Sequence, residues 1–439
     1  MAETCAGCGR ADGDEDLSAV KTRDALTIGR VLYLTFDGVL EPLGRSQVLS
    51  YLYGLTARGY SFTLISLEKE QDLSERARVE ELEAELLSRN IRWVRLPYHA
   101  GGAKSVMKNC SAAFHAAKSV IKSERVRVTH CRSYVAASVG WSLRRLYGIP
   151  YIFDMRGYWI DELRDEGRWF GNAFAYRAGK LLERRLVRDA AAIVTLTGIQ
   201  AEDLRAGLLK KQPEKPVEVI TTCADFDEFD PAKPARARVV PQEVLERIEG
   251  KLTVGFVGSI NTSYSLAESL SLFRYLLEER ADAHLLCLTR QTDAMKELLA
   301  EHGIPESAYT LASVNHREMP EWLRHMDWAL LLLNTRFSKR GSMPTKLAEF
   351  FAAGVRPIQH GCNAEVSEKV RGAGSGIVLD SLSEESLREA ARRIAAIPLE
   401  GAELERAREI SRPHFSLAAG VLKYEKILSH FYPKASQGA

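Results

Sequence analysis

From about residue 29 onward, short runs of apolar and β-branched residues alternate with longer segments whose apolar positions recur at helical spacing. That alternation is the pattern of parallel βαβ units, in which strands buried on both faces read as near-continuous apolar runs. Strands are predicted in the first half at Val31–Phe36, Phe62–Leu67, Arg92–Pro97, Val126–Cys131, Tyr151–Phe153, Ala192–Leu196 and Val217–Thr221. Helical segments such as Ser74–Leu87, Lys104–Lys122 and Arg177–Asp189 lie between them.

Phe229–Pro241 is rich in proline and charge without apolar period and reads as a linker or long connection. A second series follows, with strands at Thr253–Val257, His284–Leu288, Tyr309–Ala312, Trp328–Leu333, Arg356–Gln359 and Ile377–Leu379. Its helices include Leu266–Glu279, Lys346–Ala353 and Ser383–Ala395. The predicted class is α/β, with a disordered tail over 1–28 and Rossmann-like domains over 29–228 and 229–415. A last helix within 416–432 has no strand after it and is expected to cross back to the first domain. Two such domains face to face form a cleft, and ligands bind beyond the carboxyl ends of their strands.

Bulk composition narrows the function classes. A chain of 439 residues exceeds one ordinary core. Its 60 Lys+Arg against 58 Asp+Glu lack the basic excess of a dedicated nucleic-acid binder. Apolar runs such as Trp328–Leu333 fall far short of the roughly 18–20 residues that span a bilayer. The first residues have neither the basic nor the apolar region of a secretory signal, so a cytoplasmic location is expected. Seven scattered cysteines fit a reducing compartment, and the lone Cys5–Cys8 pair lacks the four ligands of a structural zinc site.

The most informative stretch runs from Lys339 to Pro357. It crosses a basic Gly/Ser loop after a buried strand and opens a helix at Pro344, a residue tolerated where the first N–H groups have no internal partner. Free N–H donors, the positive helix end and the cations Lys339, Arg340 and Lys346 are what a diphosphate requires. Glu349, early in that helix, has two carboxylate oxygens for a ribose diol. The alternative is a helix-dipole partner beside a solvated basic loop.

The run Ser342-x-Pro344-Thr345-Lys346-x-x-Glu349, continuing to Gly354 and Pro357, resembles the donor helix of retaining GT-B glycosyltransferases of family 4, in the Ser-x-Pro-Thr-Lys subgroup. Phe36–Val48, containing Asp-Gly-Val-Leu-Glu-Pro-Leu-Gly-Arg, and Phe153–Trp159 resemble the same subgroup. The resemblance implies a GT-B architecture and transfer of a sugar from a nucleotide diphosphate sugar, a UDP-sugar favoured, to a glycan or lipid-linked acceptor with retention. It makes the 29–228 domain the acceptor half and the 229–415 domain the donor half. It gives Glu349 the ribose, and aims the loop holding Gly38 and Gly44 at the donor phosphates, although a plain tight turn also explains Gly44.

The chain departs from the pattern in two places. Gly341 stands where many members carry the first glutamate of Glu-x7-Glu, leaving Ser342 or backbone groups to replace it. Gly258-Ser259-Ile260-Asn261-Thr262-Ser263-Tyr264 lacks the usual Arg and Lys, so the diphosphate charge is expected from Lys339, Arg340, Lys346 or Arg290.

At strand ends of the first domain stand His130, Arg132 and Ser133, then Asp154 and Arg156. Arg156, His130, Lys346 and Glu349 are the catalytic candidates, with Arg45, Arg132, Asp154 and Arg156 on the acceptor side. Two alternatives stay open, that His130 is structural and that Asp154 and Arg156 form an ion pair shaping their loop. Tyr158, Trp159, Trp169, Phe170, Phe174 and Tyr176, with the basic helix after them, either dock on a membrane surface or pack as core aromatics. No obligatory metal is expected, as the donor half has no convincing acidic pair. The competing readings are a GT-B epimerase or hydrolase, and a non-catalytic sugar-nucleotide-binding partner of another transferase.

Overall fold

The computed structural model describes residues 28–167, 172–260, 264–334, 336–398 and 401–433. Expectations for the tail, including Cys5 and Cys8, and for Trp169, Phe170 and 261–263 fall outside these residues.

The first half folds as a parallel sheet of β1 (Gly29–Thr35), β2 (Tyr60–Glu68), β3 (Ile91–Pro97), β4 (Val126–Arg132), β5 (Tyr151–Asp154), β6 (Ala192–Thr195) and β7 (Val217–Val219), in the order β3-β2-β1-β4-β5-β6-β7. The second folds as β8 (Thr253–Val257), β9 (His284–Leu288), β10 (Tyr309–Ala312), β11 (Trp328–Leu331), β12 (Arg356–His360) and β13 (Ile377–Leu379), ordered β10-β9-β8-β11-β12-β13. Buried cores lie on both faces of each sheet, which is why the central strands read as apolar-rich runs, whereas the edge strand β3 alternates buried and exposed positions.

Strand order reverses between β1 and β4 and again between β8 and β11. A crevice opens beyond the carboxyl ends of strands at such points. Asp37 and Gly38 follow β1, Arg132 ends β4, and Gly258 and Ser259 follow β8. Topology thus delivers these residues to the two crevices.

The chain crosses between the halves twice, and the crossings touch. Ala224 donates its N–H to the carbonyl of Phe415 at 2.9 Å, and Leu417 donates to the carbonyl of Ala224 at 2.8 Å. Arg408, 3% exposed, donates to the carbonyls of Ala352 and Phe226 at 2.9 and 2.7 Å, tying the crossing to the second domain. Ser416 then caps the helix Leu417–Ser429, which lays Val421, Tyr424, Ile427 and Leu428 into the core beneath β1 and β2.

Phe229–Pro241 is a long connection without helix or strand, exposed over 231–238 and pinned near its two ends. Phe229 and Val240 are buried in the second domain's core, and Arg236 pairs with Glu321 at 3.0 Å. Two widely spaced apolar anchors leave no period for a sequence pattern to register.

Candidate functional site

A cavity of about 340 Å³ lies between the domains. Its wall on the second domain is Val257, Gly258, Ser259, Leu288, Thr289, Arg290, Val314, His316, Met319, Thr345, Lys346 and Glu349. Glu41, Pro42, Leu43 and Ser46 close it from the first domain. Gly258, at φ +150°, adopts backbone that favours glycine, and a Cβ there would stand 3.7 Å from Nζ of Lys346. The Lys346 ammonium therefore sits against the bare turn after β8, at the start of the helix Thr345–Ala353. No carboxylate among the described residues lies within ion-pair distance of it. Uncovered helix N–H groups and this ammonium make the cavity floor a site for anions.

Glu349 is one turn further along, 7% exposed, with Oε1 3.4 Å from Nε2 of His316. Burial works against a charge on His316, but the neighbouring Glu349 carboxylate, aided by Glu228, outweighs it and raises the imidazole pKa despite Lys346. His316 escaped sequence reading because it opens a single 3-10 turn, His316–Glu318, after β10 with no motif around it. Its one available signal was its place four residues beyond the carboxyl end of that strand.

The structure places the rest of the Lys339–Ser342 loop elsewhere. Lys339 is 8% exposed, and its ammonium pairs with Glu162 of the first domain at 2.7 Å, so it lines no part of the cavity. Ser338 donates its N–H to Asp165 in the same helix at 3.1 Å. Arg340 is exposed near Tyr158, and neither it nor Ser342 reaches the cavity wall. A Cβ on Gly341 would lie 2.7 Å from the Tyr158 ring, so the position expected to carry glutamate is occupied by a tyrosine from the facing domain. The loop is a clasp across the cleft, and the expected cation cluster reduces to Lys346 and Arg290. Asn363, 0% exposed, sets its shape by donating to the carbonyls of Lys339 and Ser342 at 2.7 Å each, while its Oδ1 caps the next helix. Pro344 is the residue before that helix, not its first turn, and its carbonyl accepts from Thr222 at 3.2 Å.

A second cavity of about 350 Å³ belongs to the first domain and is lined by Phe36, Asp37, Gly38, Glu41, Leu67, Lys69, Tyr98, Gly101, Val106, Asn109, Arg132, Ser133, Val135, Trp159 and Leu163. Glu41 lines both cavities and pairs with Lys69 at 2.8 Å. Arg132 pairs with Asp37 at 2.9 Å. Gly44 serves the loop itself, since a Cβ would strike the carbonyl of Gly38 at 2.0 Å. Glu68 holds the same loop by accepting from the N–H groups of Val39 and Leu40 at 2.9 and 3.2 Å. Arg45 borders a neighbouring cavity that shares Pro42, Arg290 and His316 with the first.

His130, Asp154 and Arg156 form a buried knot and do not line either main cavity. Asp154 is 0% exposed and accepts from the Tyr424 hydroxyl at 2.8 Å. His130 lies 3.4 Å away, its ring between those of Tyr33 and Tyr424. Arg156 approaches Asp154 to 3.7 Å from a left-handed backbone at φ +53°. Burial opposes the Asp154 charge, yet Arg156, His130 and Arg132 together hold its pKa down at about 2. His130 and Arg156 were expected as catalytic groups. Their side chains face a carboxylate that also anchors the last helix, the structural and ion-pair arrangement left open by the sequence.

Among the described aromatics, Tyr158 is buried with its hydroxyl on Asp203, and Tyr176 bonds Asp161 at 2.7 Å. Trp159 turns to the second cavity, and Phe174 alone of the set is strongly exposed, at 85%.

Two parallel-sheet domains facing across such a cleft are the GT-B fold. Residues 44–221 match the family model described as a glycosyl transferase 4-like domain. A sequence search of curated proteins finds no match. Solved structures that share the fold include a glycosyltransferase from Rickettsia africae, at 15% identity and TM-score 0.65, covering 92% of this chain and 99% of that one. A sucrose-phosphate synthase from Thermosynechococcus elongatus is similar at 13% identity and TM-score 0.69, covering 92% and 99%. HepE from Anabaena, in complex with UDP and glucose, is similar at 13% identity and TM-score 0.64, covering 91% and 99%.

Proposed function

We propose that this protein is a retaining glycosyltransferase. It moves a hexose-type sugar from a nucleotide diphosphate sugar, a UDP-sugar favoured, to a hydroxyl of a glycan or lipid-linked acceptor, without an obligatory divalent metal, in surface polysaccharide or glycoconjugate synthesis. The observation that carries the reading is the first cavity, where a Lys346 ammonium that no carboxylate among the described residues pairs with, a helix N-terminus and the bare Gly258 turn converge one helical turn from Glu349. The glycosyl transferase 4-like match and the UDP bound to HepE support it.

In this reading the diphosphate rests on the Thr345–Lys346 helix start, beside Gly258 and Ser259, with Arg290 at the rim. Glu349 accepts from the ribose hydroxyls, and the second cavity, joined at Glu41, takes the acceptor. As the bond from the sugar C1 to the β-phosphate oxygen breaks, negative charge grows on that oxygen. Preorganised N–H donors and the Lys346 ammonium stabilise it. The acceptor oxygen bonds C1 on the face the phosphate leaves, and its proton passes to the departing phosphate.

A panel of UDP-, GDP- and ADP-sugars tests the reading by thermal shift, since a ligand held only by the folded state stabilises by mass action. One donor class is expected to raise the melting temperature and to be turned over, with the α or β configuration preserved by NMR. Inversion would remove the retaining assignment, and loss of activity in EDTA with rescue by manganese would remove the metal-free one. Interconversion of free nucleotide sugars would favour an epimerase, and binding without hydrolysis or transfer a non-catalytic partner.

The His316–Glu349 contact gives the donor site a pH dependence. The His316 pKa is raised in the fold, so its attraction for Glu349 is full below the ordinary histidine value and lost as pH rises through the raised one. Donor KM is expected to climb on that alkaline side by several-fold with little change in kcat, and His316→Gln to flatten the profile. An unchanged profile in that variant would detach His316 from donor binding.

A further inference from the structure

Three helices of the first domain, Ala103–Ser123, Ser133–Tyr147 and Ala173–Asp189, lie side by side on one face of its sheet. They carry Lys104, Lys108, Lys118 and Lys122, then Arg144 and Arg145, then Arg177, Lys180, Arg184, Arg185 and Arg188, against only Glu183 and Asp189. Eleven cations and two acids give +9 on this layer, in a chain whose net charge is +2. Neither acid faces outward unengaged. Glu183, 4% exposed, is bound by Tyr134 and Lys180, and Asp189 by Trp141, Arg145 and Arg188. At its edge the Lys215 pKa is held down to about 8 by burial first, and then by Arg144 and Arg188, against Asp189.

The same layer leaves large apolar side chains in solvent. Phe174 is 85% exposed, Met107 71%, Leu146 66% and Leu181 49%. On Ala173–Asp189, Phe174, Arg177, Leu181, Arg184 and Arg188 recur at helical spacing, so one outward stripe alternates apolar groups with guanidiniums. Cations alone would suit any polyanion. Apolar side chains among them gain only where an apolar phase lies behind the anions, which is the make-up of a bilayer surface.

We infer that this three-helix face docks the protein on anionic phospholipid, with Phe174 and Leu181 entering the interface between the arginines. The helix begins beside Trp159–Asp165, to which Tyr176 and Lys180 are bonded through Asp161. Trp159 and Leu163 of that helix line the second cavity. Docking therefore brings the second cavity close to the bilayer, which, resting on the transferase reading, selects a lipid-linked acceptor over a soluble glycan.

Sedimentation with vesicles of phosphatidylcholine alone, and of phosphatidylcholine mixed with phosphatidylglycerol, tests the inference without donor or turnover. Its outcome is thus separate from that of the transferase reading. The wild type is expected to bind the anionic vesicles at least ~10-fold more tightly than the neutral ones, and to release them as salt screens the charges. Combining Arg177→Glu, Arg184→Glu and Arg185→Glu should abolish that preference, and Phe174→Ser alone should weaken binding at unchanged salt dependence. Melting of each variant verifies its fold, and the salt titration of the wild type stands if a variant does not fold. Equal affinity for both vesicles, or binding indifferent to these substitutions, would overturn the inference. Tighter binding to duplex DNA than to anionic vesicles at equal salt would replace the bilayer by nucleic acid.

Discussion

Lys346→Ala is expected to lower kcat/KM for sugar transfer by a factor of about 10²–10³, comparable to removing one preorganised donor from a developing oxyanion. The ammonium has little redundancy. Lys339, which looks equivalent in sequence, is held 2.7 Å from Glu162 across the cleft, and Arg340 lies off the cavity wall. Of the expected cations only Arg290 shares the cavity, and it comes from the far side, after β9. The loss should appear mainly in kcat, because the charge that Lys346 meets is larger in the transition state than in the bound donor. Lys339→Ala is the informative control. It removes a cation from the same loop but should leave kcat within a few-fold, altering only the clasp to Glu162. Steady-state kinetics of both variants decides the matter. If the Lys339 variant lost as much kcat as the Lys346 variant, the clasp rather than the ammonium would govern chemistry.

Asp154→Ala is expected to lower the unfolding free energy by about 3–5 kcal/mol, the range for removing one partner of a buried ionic cluster. Its carboxylate is 0% exposed, and its loss would leave Arg132 and Arg156 buried near one another, and His130 and Tyr424 without their shared acceptor. Because Tyr424 belongs to the helix that returns from the second domain, the damage should extend to the crossing. Asp154→Asn, which keeps shape without charge, should fall between. Urea denaturation at neutral pH measures both. The pH dependence follows from the folded carboxyl being held at about 2, against an ordinary value of 3.8. Its contribution is complete above the ordinary value and is lost as pH falls through the folded one. Acid titration of stability should show that loss in the wild type and not in Asp154→Ala. A variant as stable as the wild type at neutral pH would show that the knot is not needed for the fold.

Most strands were legible because they are local apolar-rich runs buried on both faces, so pattern and burial coincide, while the edge strand β3 alternates buried and exposed positions. The packing of Phe229–Pro241 was not legible, since it rests on two anchors with no period between them. Within the site, Gly258, Ser259, Arg290, Lys346 and Glu349 could be gathered from sequence because each lies at a strand's carboxyl end or a helix start, where the α/β topology sends ligands. His316 has the same kind of position but no surrounding motif.

What the sequence by itself determined is the periodicity of two α/β halves and the chemistry presented at their strand ends. Only the tertiary structure decided which charges remain available. Lys339 and Glu162 are 177 residues apart, Asp154 and Tyr424 are 270 apart, and no local pattern encodes either pair. The same holds for Gly341, whose missing side chain is explained by a tyrosine of the facing domain. A cation's function depends on whether a carboxylate reaches it first, and that is set by how distant segments pack.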